Sequence, residues 1–383
     1  MISRSDVCHA VSKTLVDAQR ALKAKHAVIG MDGFVDSIID VVDQRGGFDQ
    51  YTRIGTIDVL GHKIVAAAGK SANYEMVVKQ RKLGGNGPIM ANALAVAGLS
   101  IDYIGSLGVP TPDPVFADFA TRARLHSLCE PGFTDALEFT DGKLMFGKLT
   151  QLSQVNWESL LRHVGLEAFI GMCESADLIA MNNWTMLPLL GEIWQHVLGD
   201  ILPKLSQRPR MLYIDLADPE KRPPKDLREA MATLSQMAAF TGVTLGLNLK
   251  EAAQVAGVLE LRPAADEPDQ IQQLAQEIRQ KMGISTVVIH PRGGAAGADS
   301  EGTAWFDGPY VQHPKLSTGA GDNFNAGYCL GQLAGCDLRQ SLCCGVATSG
   351  YYVRNAASPT TSQLAEFVKE LPPPEQQAAA ATT

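Results

Sequence analysis

The sequence predicts an α/β fold, a mainly parallel central sheet with helices on both faces and a small β-sheet lid. Three observations lead there. Short continuous apolar runs recur along the chain (Ile101-Asp102-Tyr103-Ile104, Leu178-Ile179-Ala180-Met181, Met211-Leu212-Tyr213-Ile214, Thr244-Leu245-Gly246-Leu247, Thr286-Val287-Val288-Ile289), as in strands buried on both faces. Amphipathic stretches such as 226–241 and 271–282 lie between them, which is the alternation of a parallel sheet with crossover helices. Two β-rich excursions, at about 42–83 and 133–150, break that alternation and are read as the lid.

In chain order, residues 1–25 read as an amphipathic helix with polar positions throughout, unlike the apolar core of a signal peptide. His26-Ala27-Val28-Ile29-Gly30 reads as the first buried strand, and Asp32 and Asp36 follow its carboxyl end. Ligands of open α/β sheets bind at such ends, so both acids are candidates for gripping substrate hydroxyls, with turn capping as the alternative. In the first excursion, 51–57, 62–66 and 74–79 read as strands; in the second, the Asp141-Gly142 pair marks a hairpin between 136–139 and 144–149. Between them, Gly84-Gly85-Asn86-Gly87-Pro88 opens an Ala-rich helix ending at Gly98. The Gly pair brings main-chain N–H groups toward a ligand or permits tight helix packing, and Asn86 adds an amide. Asn248 and Glu251 stand three apart after the 244–247 strand. They could hold a hydrated cation, or form a capping box. Arg292, in the turn after Ile289, faces a nucleotide phosphate or solvent.

The stretch on which function turns is Ser317-Thr318-Gly319-Ala320-Gly321-Asp322-Asn323-Phe324. Small residues leading into a helix aim main-chain N–H groups and the positive end of the helix dipole at one point, which suits a phosphate. A carboxylate there would repel that phosphate unless it removes a proton from an attacking hydroxyl. The alternative is an acid capping a Gly-rich turn.

Composition sets the class. The 383 residues are 45% hydrophobic and 19% charged, with a net charge of −8, which fits a globular protein and argues against nucleic acid or an anionic membrane as partner. Seven cysteines without a CxxC pair read as buried thiols of a cytoplasmic protein. The absence of GxGxxG after the first strand, and of GxxxxGK[ST], disfavours a dehydrogenase and a Walker-type ATPase. The tail, 371–383, reads as disordered.

Together these features resemble the ribokinase-like sugar kinases, the PfkB carbohydrate kinase family. Ser317 to Asp322 with Asn323-Phe324-Asn325-Ala326-Gly327 is similar to its C-terminal signature, Gly84-Gly85 to its N-terminal one, and Asn248 with Glu251 to its NxxE motif, in matching order over about residues 26 to 360. The resemblance implies a kinase domain at 26–370 that phosphorylates a hydroxyl of a sugar or nucleoside with ATP and Mg²⁺. It implies Asp322 as base, the N–H groups of Gly319, Ala320 and Gly321 as anion hole, and Thr318, Asn248, Arg292 and Gly294 on the ATP side. It also implies Mg²⁺ and its waters at Asn248 and Glu251, and the acceptor at Asp36, Asp32, Gly85 and Asn86. The family's helix asparagine corresponds to Ile89 or, displaced, to Asn92. Where the family usually carries an acid near a monovalent-cation site this chain has Leu316, so K⁺ is the least supported cofactor. A kinase for another small alcohol, such as a vitamin precursor, and a silent binder on the kinase fold are the competing readings. A β edge of the lid could pair with a second subunit.

Overall fold

A continuous run of buried residues from His26 to Met31 puts the first strand at the centre of the main sheet. The computed structural model describes residues 3–374. Its strands are β1 (His26–Met31), β2 (Phe34–Arg45), β3 (Tyr51–Arg53), β4 (Met76–Gly84), β5 (Ser100–Ser106), β6 (Arg124–Cys129) and β7 (Gly132–Phe139). They continue with β8 (Gly142–Lys148), β9 (Leu178–Met181), β10 (Met211–Asp215), β11 (Gly242–Leu247), β12 (Thr286–Ile289), β13 (Gly294–Ala298) and β14 (Thr303–Asp307).

Among the described residues nine strands form one sheet in the order β14-β13-β12-β11-β10-β9-β1-β5-β6. All neighbours from β12 to β6 are parallel, and β13 and β14 close one edge antiparallel. Alternation along each strand feeds two cores. Val28, Ile179, Leu212 and Leu245 belong to one, while Ala27, Ile29, Ala180 and Tyr213 belong to the other. The strand runs are therefore apolar throughout because each side chain meets a helix layer. This is the α/β architecture expected.

The small sheet joins β3, β2, β7 and β8, with β4 on the other side of β2. It begins at Phe34 rather than near residue 42, so Asp36 lies inside a twelve-residue strand and not in a loop beyond β1. The expectation of a strand at 62–66 fails: Ile57–Ala66 is a helix capped by the Thr56 side chain on Val59 N–H. Its Leu60 packs with Ile39, Val41, Ile54, Leu137 and Phe139 on one face of the small sheet, and that contact overrides the β-branched preference of Ile64 and Val65. The expected hairpin is present between β7 and β8. Most of the tail, residues 375–383, lies outside the described residues, and so does the expectation of disorder there. All seven cysteines are buried and free of disulfides. Among the described residues no helix is long and apolar enough to cross a membrane.

Candidate active site

The Gly-rich turn opens a helix, but Ala320, expected among its three anion-hole donors, is not one of the open N–H groups. Gly319, at φ +90°, caps the helix Ala320–Leu333, and Asp322 stands buried in its first turn. Ala320 N–H is turned back to the Ser317 carbonyl at 3.2 Å. The N–H groups of Gly319 and Gly321 have no acceptor among the described residues, so the helix presents open donors where an anion would lie. Asp322 Oδ1 accepts from Asn86 Nδ2 at 2.9 Å. Burial, and then the facing Asp215 carboxylate, push its carboxyl well above the usual range. A carboxyl so placed accepts a proton more readily than an exposed one.

The paired glycines make room for the two acids. A Cβ on Gly84 would lie 2.4 Å from Asp36 Oδ2, and one on Gly85 would lie 2.9 Å from Asp32 Oδ2. Gly85 also takes φ +100° as cap of the helix Asn86–Val96. Beyond that the acids part. Asp32 is fully enclosed and accepts from Asn86 N–H (2.9 Å), Gly87 N–H (2.8 Å) and Asn183 Nδ2 (2.7 Å). It anchors the helix start and has no oxygen to spare for an acceptor, contrary to the expectation from its place at a strand end. Burial lifts it to about 6 despite these bonds.

Asp36 instead sits on the inner face of the small sheet. Paired residues of neighbouring strands share a face, and Asp36 pairs with Lys82 on β4 and with Thr134 on β7, while Glu138 pairs with Lys143 across the hairpin. Burial raises the Asp36 carboxyl, against the Thr134 hydroxyl and the Lys82 and Lys143 charges. Lys143 Nζ reaches across to Thr318 Oγ1 at 3.3 Å, which links the hairpin to the anion turn. Asp36, on the small sheet, and Asp322, on a helix of the large one, thus both meet the Gly84-Gly85-Asn86 turn, the first at Gly84 and the second through Asn86.

Asn248 and Glu251 form a full capping box: Asn248 Oδ1 accepts from Glu251 N–H and Glu251 Oε2 from Asn248 N–H. Glu251 Oε1 accepts from Asp218 N–H as well. The capping reading is therefore the one the structure forms, and burial raises the Glu251 carboxyl despite these bonds. Arg292, exposed, and Gly294, buried, line a cavity of about 530 Å³ with His290, Ser317 and Gly321 beside the anion turn. Asn92 is not brought to the site. Its Oδ1 accepts from Arg122, whereas Ile89 packs toward Gly319.

The model of the prokaryotic ketohexokinase family matches residues 5–371. The chain belongs to that family. Membership makes it an ATP-dependent phosphotransferase with a sugar hydroxyl as acceptor, as its motifs imply. A ketohexokinase from Haloferax volcanii is 29% identical over 368 residues, which cover 96% of this chain and 95% of the relative. Among solved structures, phosphofructokinase-2 from Escherichia coli in complex with potassium superposes with a TM-score of 0.63 at 17% identity, over 91% of this chain and 98% of that one. Ribokinase from Arabidopsis thaliana complexed with ribose and ATP gives 0.62 at 15% identity, over 90% and 98%. These likenesses carry the ribokinase-like fold.

Several residues of this family member's cleft escape a reading of the sequence. Asp215, at the carboxyl end of β10, is buried and raised to about 8 by burial and then by Glu251; its Oδ2 accepts from Asn325 Nδ2 at 2.6 Å. The strand-end rule that picked out Asp32 also finds Asp215. Asn183, at φ 62°, follows β9 by the same rule. Lys82 and Lys143 carry no such signal, because only strand pairing turns them toward Asp36.

Proposed function

We propose that this chain transfers the γ-phosphoryl group of ATP to a hydroxyl of a ketohexose, with Asp322 as general base. The observation that carries this reading is the Gly84-Gly85-Asn86 turn, which lies against the Asp36 carboxyl at Gly84 and holds Asp322 through Asn86, together with the open N–H groups of Gly319 and Gly321. Asp36 holds acceptor hydroxyls and Asp322 takes the proton of the attacking one. The N–H groups of Gly319 and Gly321, with the helix dipole, stabilise charge on the transferring group. Asn86 orients the Asp322 carboxyl through the 2.9 Å bond. Thr318, Arg292 and Gly294 border the nucleotide. Its base occupies the cavity beside His290.

The donor chemistry suits Mg²⁺, since the groups that act on Asp322 are the hard carboxyl oxygens of the buried Asp215 and Glu251. Glu251 and Asn248 would hold the ion through water, since their side chains already cap the helix. Bound Mg²⁺ neutralises phosphate charge. K⁺ is not required, because Leu316 offers no carboxylate near the turn. The small sheet acts as a lid on the kinase domain, excluding water when Lys143 meets Thr318. Its outward Phe48, Ile64, Val65 and Phe146 are more than half exposed, which supports a homodimer through the lid.

A coupled assay of ADP release over ketohexoses, aldoses, nucleosides and vitamin-type alcohols, with and without K⁺, tests this. Turnover confined to ketohexoses is expected. A preference for another class of alcohol would overturn the substrate assignment, and ATP left intact with every acceptor would favour a silent binder.

A further inference from the structure

The anion turn has to hold its N–H groups outward although its pivot is a glycine, and the chain contains a residue that does this. Segment 315–318 is tied to the end of the helix Leu338–Asn355 at successive points. Lys315 N–H and Leu316 N–H donate to the Val353 carbonyl at 2.8 and 3.4 Å, and Tyr352 Oη donates to the Thr318 carbonyl at 3.0 Å. The tyrosine bond is the last tie before the open donors. Tyr352 also lies against the pivot itself, since a Cβ on Gly319 would stand 3.0 Å from its Oη.

A trans peptide is planar, with its C=O and N–H pointing in opposite directions. Holding the Thr318 carbonyl toward Tyr352 therefore aims the Gly319 N–H the other way, into the site. Without that hold, the Thr318–Gly319 peptide can rotate cheaply, because glycine tolerates both signs of φ. We infer that Tyr352 is a positioning residue of the anion hole, whose hydroxyl fixes the Thr318–Gly319 peptide plane so that Gly319 N–H stays directed at the transferring phosphoryl group.

This rests on the kinase reading above. Burial, and then the Asp322 and Asp36 charges, push the Tyr352 hydroxyl up to about 12, so it remains a donor throughout the working range. The bond therefore needs no partner in a particular charge state.

Tyr352→Phe removes the hydroxyl and leaves the ring, so the helix packing is kept. The loss of one neutral hydrogen bond lowers kcat by about five- to tenfold. Affinity for a non-hydrolysable ATP analogue, the acceptor KM, Tm and the shape of the pH profile stay within about twofold or one degree of wild type, on the same scale of reasoning. Affinity for Mg²⁺·ADP·fluoroaluminate with the ketose falls by the same factor as kcat. A folded variant with unchanged kcat overturns the inference. So does a loss shared equally between analogue binding and kcat, or one that follows a fall in Tm, since packing alone would explain it. Wild-type protein that turns over no acceptor overturns the kinase reading, and the positioning role falls with it.

Discussion

Replacing Gly84 by alanine tests the acceptor side of the site with a single methyl group. Gly84 does not adopt a positive φ, so the backbone accepts alanine without strain. The three atoms nearest the new Cβ all belong to the Asp36 carboxyl, at 2.4, 2.5 and 2.6 Å for Oδ2, Cγ and Oδ1. Ordinary contact begins at 3.4 Å, so the carboxyl must retreat by about 1 Å. A displacement of that size in a positioning group costs about 10²-fold. Gly84→Ala is therefore expected to lower kcat/KM for the ketose by about that factor while leaving the ATP KM nearly unchanged. Steady-state kinetics with each substrate varied in turn checks it. Gly55, where a Cβ meets nothing within 4 Å, supplies the control. Asp36→Ala should abolish the effect of Gly84→Ala, because there is then no carboxyl to displace. Near-wild-type kcat/KM for the acceptor in Gly84→Ala, or additive losses in the double variant, would refute the assignment of Asp36.

The remaining expectations follow from the same geometry. Asp322→Asn should lower kcat by roughly 10²–10⁴ with ATP-analogue binding retained, and near-normal turnover would remove the base from the mechanism. In wild type the base works only when ionised and its carboxyl is raised, so activity is lost as pH falls, beginning above the usual carboxylate range. Asp215→Asn removes a facing charge and should move this acid limb of kcat/KM to lower pH; an unmoved limb would refute the coupling. Lys143→Ala removes the contact of the hairpin with Thr318 and should lower kcat/KM for ATP by about tenfold, the scale of a charge-assisted hydrogen bond, whereas Lys148→Ala, at an exposed pair with Asp135, should not. Asp102, at the other end of the sheet, accepts from Arg124, His26 and His126. Burial would raise its carboxyl, but these bonds pull it well below the usual range, so its stabilisation is present above that range and is lost as pH falls further. Asp102→Asn should lower stability by about 2 kcal/mol at neutral pH without changing kcat, and the two unfolding curves should converge in acid.

What could be read in the sequence is what is local. The anion turn is contiguous and its glycine pivot sits directly before the helix, so Ser317 to Asp322 announced its shape. The Asn248–Glu251 spacing was likewise legible: on local grounds it favours a cap over a metal site, and the fold forms the cap. The small sheet was harder. β2 carries Asp36, Asp40 and Asp43 among its apolar residues, which looks like loop until β4 and β7 are seen to flank it. Residues 62–66, the end of the helix Ile57–Ala66, read as strand because Ile64 and Val65 are β-branched, yet Thr56 and Asp58 already marked the helix start.

Charge balance was the least legible feature, and it explains why the small sheet matters to the chemistry. Asp32, Asp215, Glu251 and Asp322 all belong to the large sheet and its helices, and in each burial pushes the carboxyl up. Asp32 and Glu251 are held by backbone N–H groups, and amides of Asn183, Asn325 and Asn86 serve Asp32, Asp215 and Asp322. These partners satisfy oxygens without cancelling charge. The lysines that face the cleft, Lys82 and Lys143, stand on the small sheet. A phosphate entering between the sheets thus meets open N–H groups and carboxylates from one side and ammonium groups from the other. On the proposed reading, a phosphate that arrives with its own cation would meet less repulsion from the first set of carboxylates, and the hairpin would cover it. That arrangement arises from pairings more than a hundred residues apart in the chain, such as Lys143 with Thr318, so no local pattern could have revealed it.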